Sequence, residues 1–130
     1  MSDKRIGIVA AGEDARATID RIVELEQAGV HAAWLAGAGA DALSVFAAAA
    51  VLTERIMLGT CVTPTWPRHP IVAVQQIQAI ASLAPGRFRF GVGPSHKRPI
   101  ETTYGFDFKA PLTNLREYVH IAKTLLREGA

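Results

Sequence analysis

Four short runs with strand character alternate with longer segments of helical periodicity. The runs cover residues 6–11, 31–36, 56–62 and 87–92, and the first is a compact apolar run, as expected for a parallel strand covered on both faces. After each run, apolar residues recur at spacings of three and four, which is the pattern of amphipathic helices. The sequence therefore predicts the element order β-α-β-α-β-α-β-α, in which right-handed crossovers join parallel strands.

Residues that begin helices stand where this order needs them. Asp14 and Asp41 are predicted N-caps of the first two helices, because a carboxylate oxygen accepts a hydrogen bond from a free N–H group of the first turn. Pro70 and Pro111 are predicted to begin the third and fourth helices, where the missing N–H of proline is tolerated. The second helix, residues 42–54, is apolar nearly all round and is therefore expected to be buried.

Two architectures satisfy this order: an open doubly wound sheet and part of a closed barrel. A doubly wound nucleotide-binding sheet has a glycine-rich turn after its first strand. Residues 10–14 instead contain one glycine and two acids, which would repel a pyrophosphate. A complete (βα)8 barrel takes about 250 residues, so four βα units in 130 residues amount to half of one. We therefore predict an α/β fold, the (βα)4 half of a TIM-type (βα)8 barrel, with residues 1–130 as one domain.

Composition excludes several classes of partner. The chain is 49% hydrophobic and 20% charged, as in ordinary globular domains, and its net charge is +2. Its longest basic clusters, at residues 68–69 and 97–98, are too short to follow a phosphate backbone, so we expect no nucleic-acid partner. No run approaches the roughly 18 apolar residues that span a bilayer, and no signal peptide is visible. With a single cysteine, Cys61, the chain is expected to be cytoplasmic.

Functional groups of a parallel βα array come from the carboxyl ends of its strands. After the second strand, residues 37–40 offer no acid–base side chain; they would let a flat ring lie close to the backbone or form a flexible connection. After the third strand, Cys61 reads as a small apolar filler, with nothing nearby to mark it as a nucleophile. Arg68 is a candidate anion contact, and His69 is a capping or exposed residue.

The segment after the fourth strand is the most informative. Gly91 and Gly93 stand at a strand terminus, where glycine often marks the close approach of a ligand. Ser95 and His96 then place a hydroxyl and an imidazole at the rim where a substrate would lie. Residues 94–110 are predicted to be a long loop, and loops of that length usually have a function or are disordered.

At this segment the sequence resembles a known family. Residues 86–96 (GRFRFGVGPSH) are similar to the Gly-Arg-Phe-x-Leu-Gly-x-Gly signature of the luciferase-like monooxygenase superfamily, and the Pro-Ser-His ending resembles its branch of coenzyme F-420-dependent oxidoreductases. Residues 56–62 resemble the family's third strand, residues 68–70 its Arg-His-Pro helix entry, and residues 116–118 its Arg-Glu-Tyr motif. The resemblance covers almost the whole chain, and the four motifs are in register.

The resemblance implies a (βα)8 barrel that binds FMN or the deazaflavin coenzyme F-420 (F420 below) at the carboxyl ends of its strands. It also implies a non-proline cis peptide bond on the third strand, behind the isoalloxazine ring, which would fall at Cys61–Val62. The implied cofactor-binding residues are Cys61, Val62, Gly91, Gly93 and Ser95. The implied function is hydride transfer between F420 and a small organic substrate, or oxygen incorporation with FMN.

Two departures from the family pattern shape these expectations. Several family members carry Asp or His after the second strand, whereas residues 37–40 carry neither, so His96 is the candidate catalytic proton donor. Strands five to eight are absent, and barrels of this kind commonly bind phosphate at the loops after strands seven and eight. The chain would then form one wall of the cofactor site and associate with a second copy or a complementing half-barrel. The alternative is a non-enzymatic half-barrel that dimerises as a binding or interaction module.

Overall fold

The computed structural model describes residues 4–128, which form six strands and five helices. In chain order they are β1 (Gly7–Val9), α1 (Ala15–Gln27), β2 (Ala32–Leu35), α2 (Ala42–Leu52), β3 (Met57–Thr60), β4 (Thr63–Pro64), α3 (Pro70–Leu83), β5 (Phe88–Arg89), β6 (Val92–Gly93), α4 (Lys97–Tyr104) and α5 (Pro111–Glu128).

The strands form two parallel sheets in succession. β1, β2, β3 and β5 pair in that order, and β4 pairs with β6 just beyond them. The predicted parallel order is therefore confirmed. The predicted continuous strands 56–62 and 87–92 are each broken into two pieces, which corrects the expectation. The ladder is interrupted because the hydroxyl of Thr60 takes both the N–H and the carbonyl of Gly91 as hydrogen-bond partners.

Four of the helices lie against one face of the larger sheet. α1 contacts α2, α2 contacts α3, and α3 contacts α5. Between this layer and the sheet lies a core that includes Ile22, Ala33, Phe46 and Leu58, each at most 2% exposed. The opposite face of the sheet opens onto a cavity of about 470 Å3. A doubly wound sheet has helices on both faces, so this arrangement is the half-barrel that the sequence predicts.

The residues predicted to begin the helices are confirmed. The Asp14 carboxylate accepts a hydrogen bond from the N–H of Ala17 at 2.8 Å, and the Asp41 carboxylate accepts one from the N–H of Ser44 at 2.9 Å. α3 and α5 begin at their predicted prolines. Each cap satisfies one of the N–H groups that a helix start leaves without a partner.

The expectation that the second helix is buried holds for one side of α2. Leu43, Val45 and Phe46 belong to the core, and the Phe46 ring packs edge-on against another ring of that core at a centroid distance of 5.8 Å. Val51 and Leu52, at the end of the helix, are 63% and 55% exposed. The last two residues of α2 therefore stand clear of the core, and the expectation is wrong there.

The predicted loop over residues 94–110 contains a helix, α4. Its side chains give no apolar periodicity, because Ile100 is its single buried residue. Pro99 is tolerated in the first turn, where its N–H would be unpaired in any case. Gly105, with φ 72°, ends the helix in the left-handed conformation that glycine favours. Within residues 4–128, no helix is long and apolar enough to cross a membrane.

Candidate functional site

The carboxyl end of β3 carries an exposed bulge. The peptide bond between Cys61 and Val62 is cis, as the family resemblance predicts. The N–H of Cys61 donates to the carbonyl of Leu35 on β2 at 2.8 Å, and the N–H of Thr63 donates to the carbonyl of Gly91 at 2.8 Å. The bulge is therefore tied to the strands on both sides. Cys61 is exposed, so it is not the buried filler that the sequence suggested.

Gly91 lies against the chain just before the bulge. The Thr60 hydroxyl donates to the Gly91 carbonyl at 2.7 Å and accepts from the Gly91 N–H at 2.9 Å. A Cβ atom at Gly91 would overlap the backbone carbonyl oxygen of Thr60. The absence of a side chain at this position is thus required by the protein itself, whatever approaches from solvent. Thr60 is 2% exposed, and its role is not visible in the sequence pattern.

Two further glycines, Gly37 and Gly93, pack closely against Val62. A Cβ at Gly93 would stand 2.8 Å from Cγ2 of Val62, and a Cβ at Gly37 would stand 2.8 Å from the Val62 carbonyl oxygen. The Gly37 position would also meet Pro64 at 2.5 Å. The side chain of Val62 remains 40% exposed. Residues 37–40, for which two readings were open, therefore pack closely against the bulge at Gly37.

The structure joins four of the six predicted site residues into one surface. Cys61, Val62, Gly91 and Gly93 are linked by the contacts above, and we call these four residues the bulge surface. Ser95 follows on the same segment and has a positive φ of 61°, a conformation that L-residues adopt rarely and that occurs often at functional sites.

His96 is the N-cap residue of α4. Its side chain is exposed and makes no capping hydrogen bond. The ring is therefore not used by the helix start. By contrast, the predicted capping role of His69 is confirmed, since its Nδ1 accepts a hydrogen bond from the N–H of Ile71 at 3.2 Å.

A cavity of about 230 Å3 lies beside the bulge surface, between the loop after β2, the chain after β4, and Tyr104 of α4. Arg68 lies on its wall, and its guanidinium donates to the Asp41 carboxylate and to the side-chain oxygen of Gln76. The Arg68 guanidinium is therefore bound by two groups of the protein. Its contact with an anion stays a prediction. Burial acts to raise the pKa of Asp41, but hydrogen bonds from Ser44 and the charge of Arg68 outweigh it, so the pKa lies below its ordinary value.

The arginine of the Gly-Arg-Phe signature has a structural task. The Arg87 guanidinium donates to the carbonyls of Ala50, Thr53 and Ile56 at 2.9–3.1 Å, and to the Thr53 hydroxyl at 3.0 Å. These carbonyls include the end of α2, where helix carbonyls lack partners. The motif was visible in the sequence, but the role of Arg87 was not.

The shape and chemistry of the bulge surface fit one side of a flat ring. Val62 presents apolar side-chain surface, and Gly91 presents backbone without a projecting side chain, while Gly93 is buried against Val62. Among residues 4–128 no cluster of His, Cys, Asp and Glu could hold a metal ion.

The fold and this surface agree with a match of the chain to a known family. The sequence profile of luciferase-like monooxygenases matches residues 2–130, so the chain belongs to the luciferase-like monooxygenase family. The F420-dependent glucose-6-phosphate dehydrogenase of Intrasporangium calvum is 32% identical, over 95% of this chain and 42% of that protein. The chain spans between 23% and 42% of the length of such relatives.

Solved structures agree with the half-barrel. An F420-dependent secondary alcohol dehydrogenase in complex with an F420–acetone adduct matches with a TM-score of 0.80 at 20% identity, over 93% of this chain and 41% of that chain. The oxygenating constituent of 3,6-diketocamphane monooxygenase from Pseudomonas putida, in complex with FMN, matches with a TM-score of 0.75 at 18% identity, over 92% and 38%. At these identities the likeness shows the fold.

Proposed function

We propose that this chain forms the N-terminal wall of an oxidoreductase site in which hydride passes between F420 and a small organic substrate. FMN, with incorporation of oxygen into the substrate, is the second candidate cofactor. The observation that carries the proposal is the bulge surface at the carboxyl ends of the strands, where Val62 is exposed beside backbone that carries no side chain at Gly91. An F420-dependent relative and an F420-dependent structural neighbour support the first cofactor, and an FMN-bound neighbour supports the second.

In this site the cofactor supplies hydride transfer, while the protein orients the reactants and excludes water. Cys61 and Val62 would lie behind the ring and keep water from that side. Gly91 and Gly93 keep the adjoining backbone free of projecting side chains, and Ser95 would offer its hydroxyl to the cofactor at the edge of the surface.

His96 is the proposed proton donor to the substrate. Its imidazole is exposed at the start of α4 and makes no capping hydrogen bond, so it is available to a bound molecule. Imidazole is also the side chain best suited to proton transfer near neutral pH. The loop after β2 offers no competing acid or base before Asp41, whose carboxylate is engaged by Arg68 and Ser44.

The cofactor phosphate and the remaining walls are assigned to a complementing half. Barrels of this type commonly bind phosphate after strands seven and eight, and the four βα units of this chain correspond to strands one to four. The proposed partners are therefore a small-molecule substrate and either a complementing half-barrel or a second copy of the chain. The exposed thiol of Cys61 suits a reducing compartment, and we place the protein in the cytoplasm.

A second candidate function is a non-enzymatic module that dimerises through its open edges. The observation in its favour is the exposed apolar surface at β1, where Ile6 and Val9 are 57% and 59% exposed. The two candidates differ in purified material. An oxidoreductase wall should retain a yellow cofactor or take one up, whereas a dimerising module should elute at twice the chain mass and remain colourless.

Titration of the purified chain with F420 and with FMN, followed by fluorescence, tests the proposal. Val62→Ala should weaken binding about fivefold to tenfold, because two carbon atoms of apolar contact are lost. Val51→Ala, at a still more exposed valine on the far side of the sheet, is the control and should change nothing. If the folded chain binds neither cofactor, the affinity lies in the complementing half, and the chain by itself is not an enzyme.

A further inference from the structure

Arg89 points into the interior of the half-barrel. Successive side chains of a strand point to opposite faces of the sheet. The ring of Phe88 packs against Phe46 in the helix-side core, so Arg89 lies on the other face. There it borders the 470 Å3 cavity together with Trp34 and Met57.

No acidic side chain of the inner face meets this charge. Among residues 4–128, the guanidinium makes a single hydrogen bond, at 3.0 Å, to the carbonyl of Phe88, and it takes part in no ion pair. By strand alternation and register, the other inward positions are Gly7, Val9, Ala32, Trp34, Met57 and Gly59. None of them carries a carboxylate.

Trp34 fills part of the inner face of the half-barrel. A Cβ at Gly7 or Gly59 would overlap its indole, so two glycines make room for one large side chain. The inner layer is therefore built for close packing and not for a water-filled channel, as in barrels of this type. Once the barrel closes, the Arg89 guanidinium loses its water and needs a charged partner.

Closure by a second copy does not supply that partner. Two copies would bring two Arg89 side chains and two Trp34 side chains into one interior, with no carboxylate on either inner face. Like charges that face each other without water are unfavourable. The region matched in the relatives is less than half of their length, which leaves room for a half of different sequence.

We propose that the inner face of this chain docks a half-barrel of different sequence whose inward strand positions include an Asp or Glu that pairs with Arg89. The ion pair fixes which half-barrel fits and excludes self-closure. This inference rests on the half-barrel fold and is independent of the choice of cofactor, so its test uses no cofactor.

A charge-swapped second copy serves as the probe. Wild-type chain mixed with Arg89→Glu chain should form a 1:1 dimer whose Kd is at least about tenfold below that of either chain alone, since close charge pairs at interfaces are strongly coupled. Sedimentation velocity measures the Kd, and Trp34 emission in a Trp66→Phe background reports whether the inner face is buried. Arg16→Glu, the same charge change on the exposed side of α1, is the control and should give no gain.

Two results would overturn the proposal. One is a wild-type dimer that forms alone and shifts the emission of Trp34; the other is a mixture no tighter than its components. If the Arg89→Glu chain does not fold, Arg89→Met tests the same proposal. Removing the charge should make self-association several-fold tighter than that of wild type, and unchanged association contradicts the proposal.

Discussion

Arg87 is expected to be the most important polar side chain for the stability of this half-barrel. Its guanidinium makes four hydrogen bonds that join β5 to the end of α2 and to the start of β3. Hydrogen bonds from a charged group contribute about 1.5–3 kcal/mol each, and they overlap when they share one donor group. Arg87→Ala leaves three carbonyls without this donor, so we expect a loss of about 3–5 kcal/mol.

Urea denaturation followed by circular dichroism measures this loss. With a denaturant slope of about 2 kcal/mol per M, the midpoint should fall by about 2 M. Arg87→Lys keeps the charge but not the planar fork of donors, so it should recover less than half of the loss. Arg89→Ala, two residues along the same strand, removes an exposed side chain with one local hydrogen bond and should stay within about 0.5 kcal/mol of wild type. Equal effects at the two arginines would show that the hydrogen bonds of Arg87 do not stabilise the fold in this way.

Three further changes test other parts of the structure. Gly91→Ala forces a Cβ against the Thr60 carbonyl, which cannot move without breaking the strand pairing, and should cost about 1–3 kcal/mol in urea denaturation. Burial acts to raise the pKa of Glu26, but hydrogen bonds from the N–H groups of residues 54–56 outweigh it and hold the pKa below its ordinary 4.5. Stability from Glu26 is thus full above pH 4.5 and is lost as the pH falls through the folded-state pKa, and Glu26→Gln should flatten that decline. Within the proposed oxidoreductase, His96→Gln should lower kcat with little change in the KM for the substrate.

Two of these changes have a matched control, which are Gly91→Ala and His96→Gln. Gly29→Ala adds a Cβ with nothing within 4 Å, so only the positive φ of 79° opposes it and the cost should stay near 1 kcal/mol. For His96, the control is His120→Gln on the exposed side of α5, which should leave kcat unchanged. An unchanged kcat in His96→Gln would assign the proton to another group.

The helix starts were predictable because their signals are local. Asp14 and Asp41 accept hydrogen bonds from residues three positions later, and Pro70 and Pro111 need only a free helix end. The breaks in the third and fourth strands depend instead on Thr60 reaching a backbone 31 residues away. Nothing in the local pattern signals such a contact.

The candidate site also combines features that could be predicted from the sequence with features that could not. The cis bond at Cys61–Val62 was predicted from family resemblance and not from the residue types, since no side chain there requires it. The exposure of Cys61 and the pairing of Arg68 with Asp41, 27 residues earlier, depend on how three loops meet. α4 was missed because a helix with Ile100 as its single buried side chain has no periodicity to detect.

The central claim is that the bulge surface contacts the ring of a flavin or deazaflavin. The most direct measurement is an 1H–15N spectrum of labelled chain during titration with F420 or FMN. We expect the signals of Cys61, Val62, Gly91 and Gly93 to shift together, while those around the cavity at the opposite end of the strands, such as that of Arg55, stay fixed. Shifts centred on that opposite end, with the bulge surface unchanged, would contradict it.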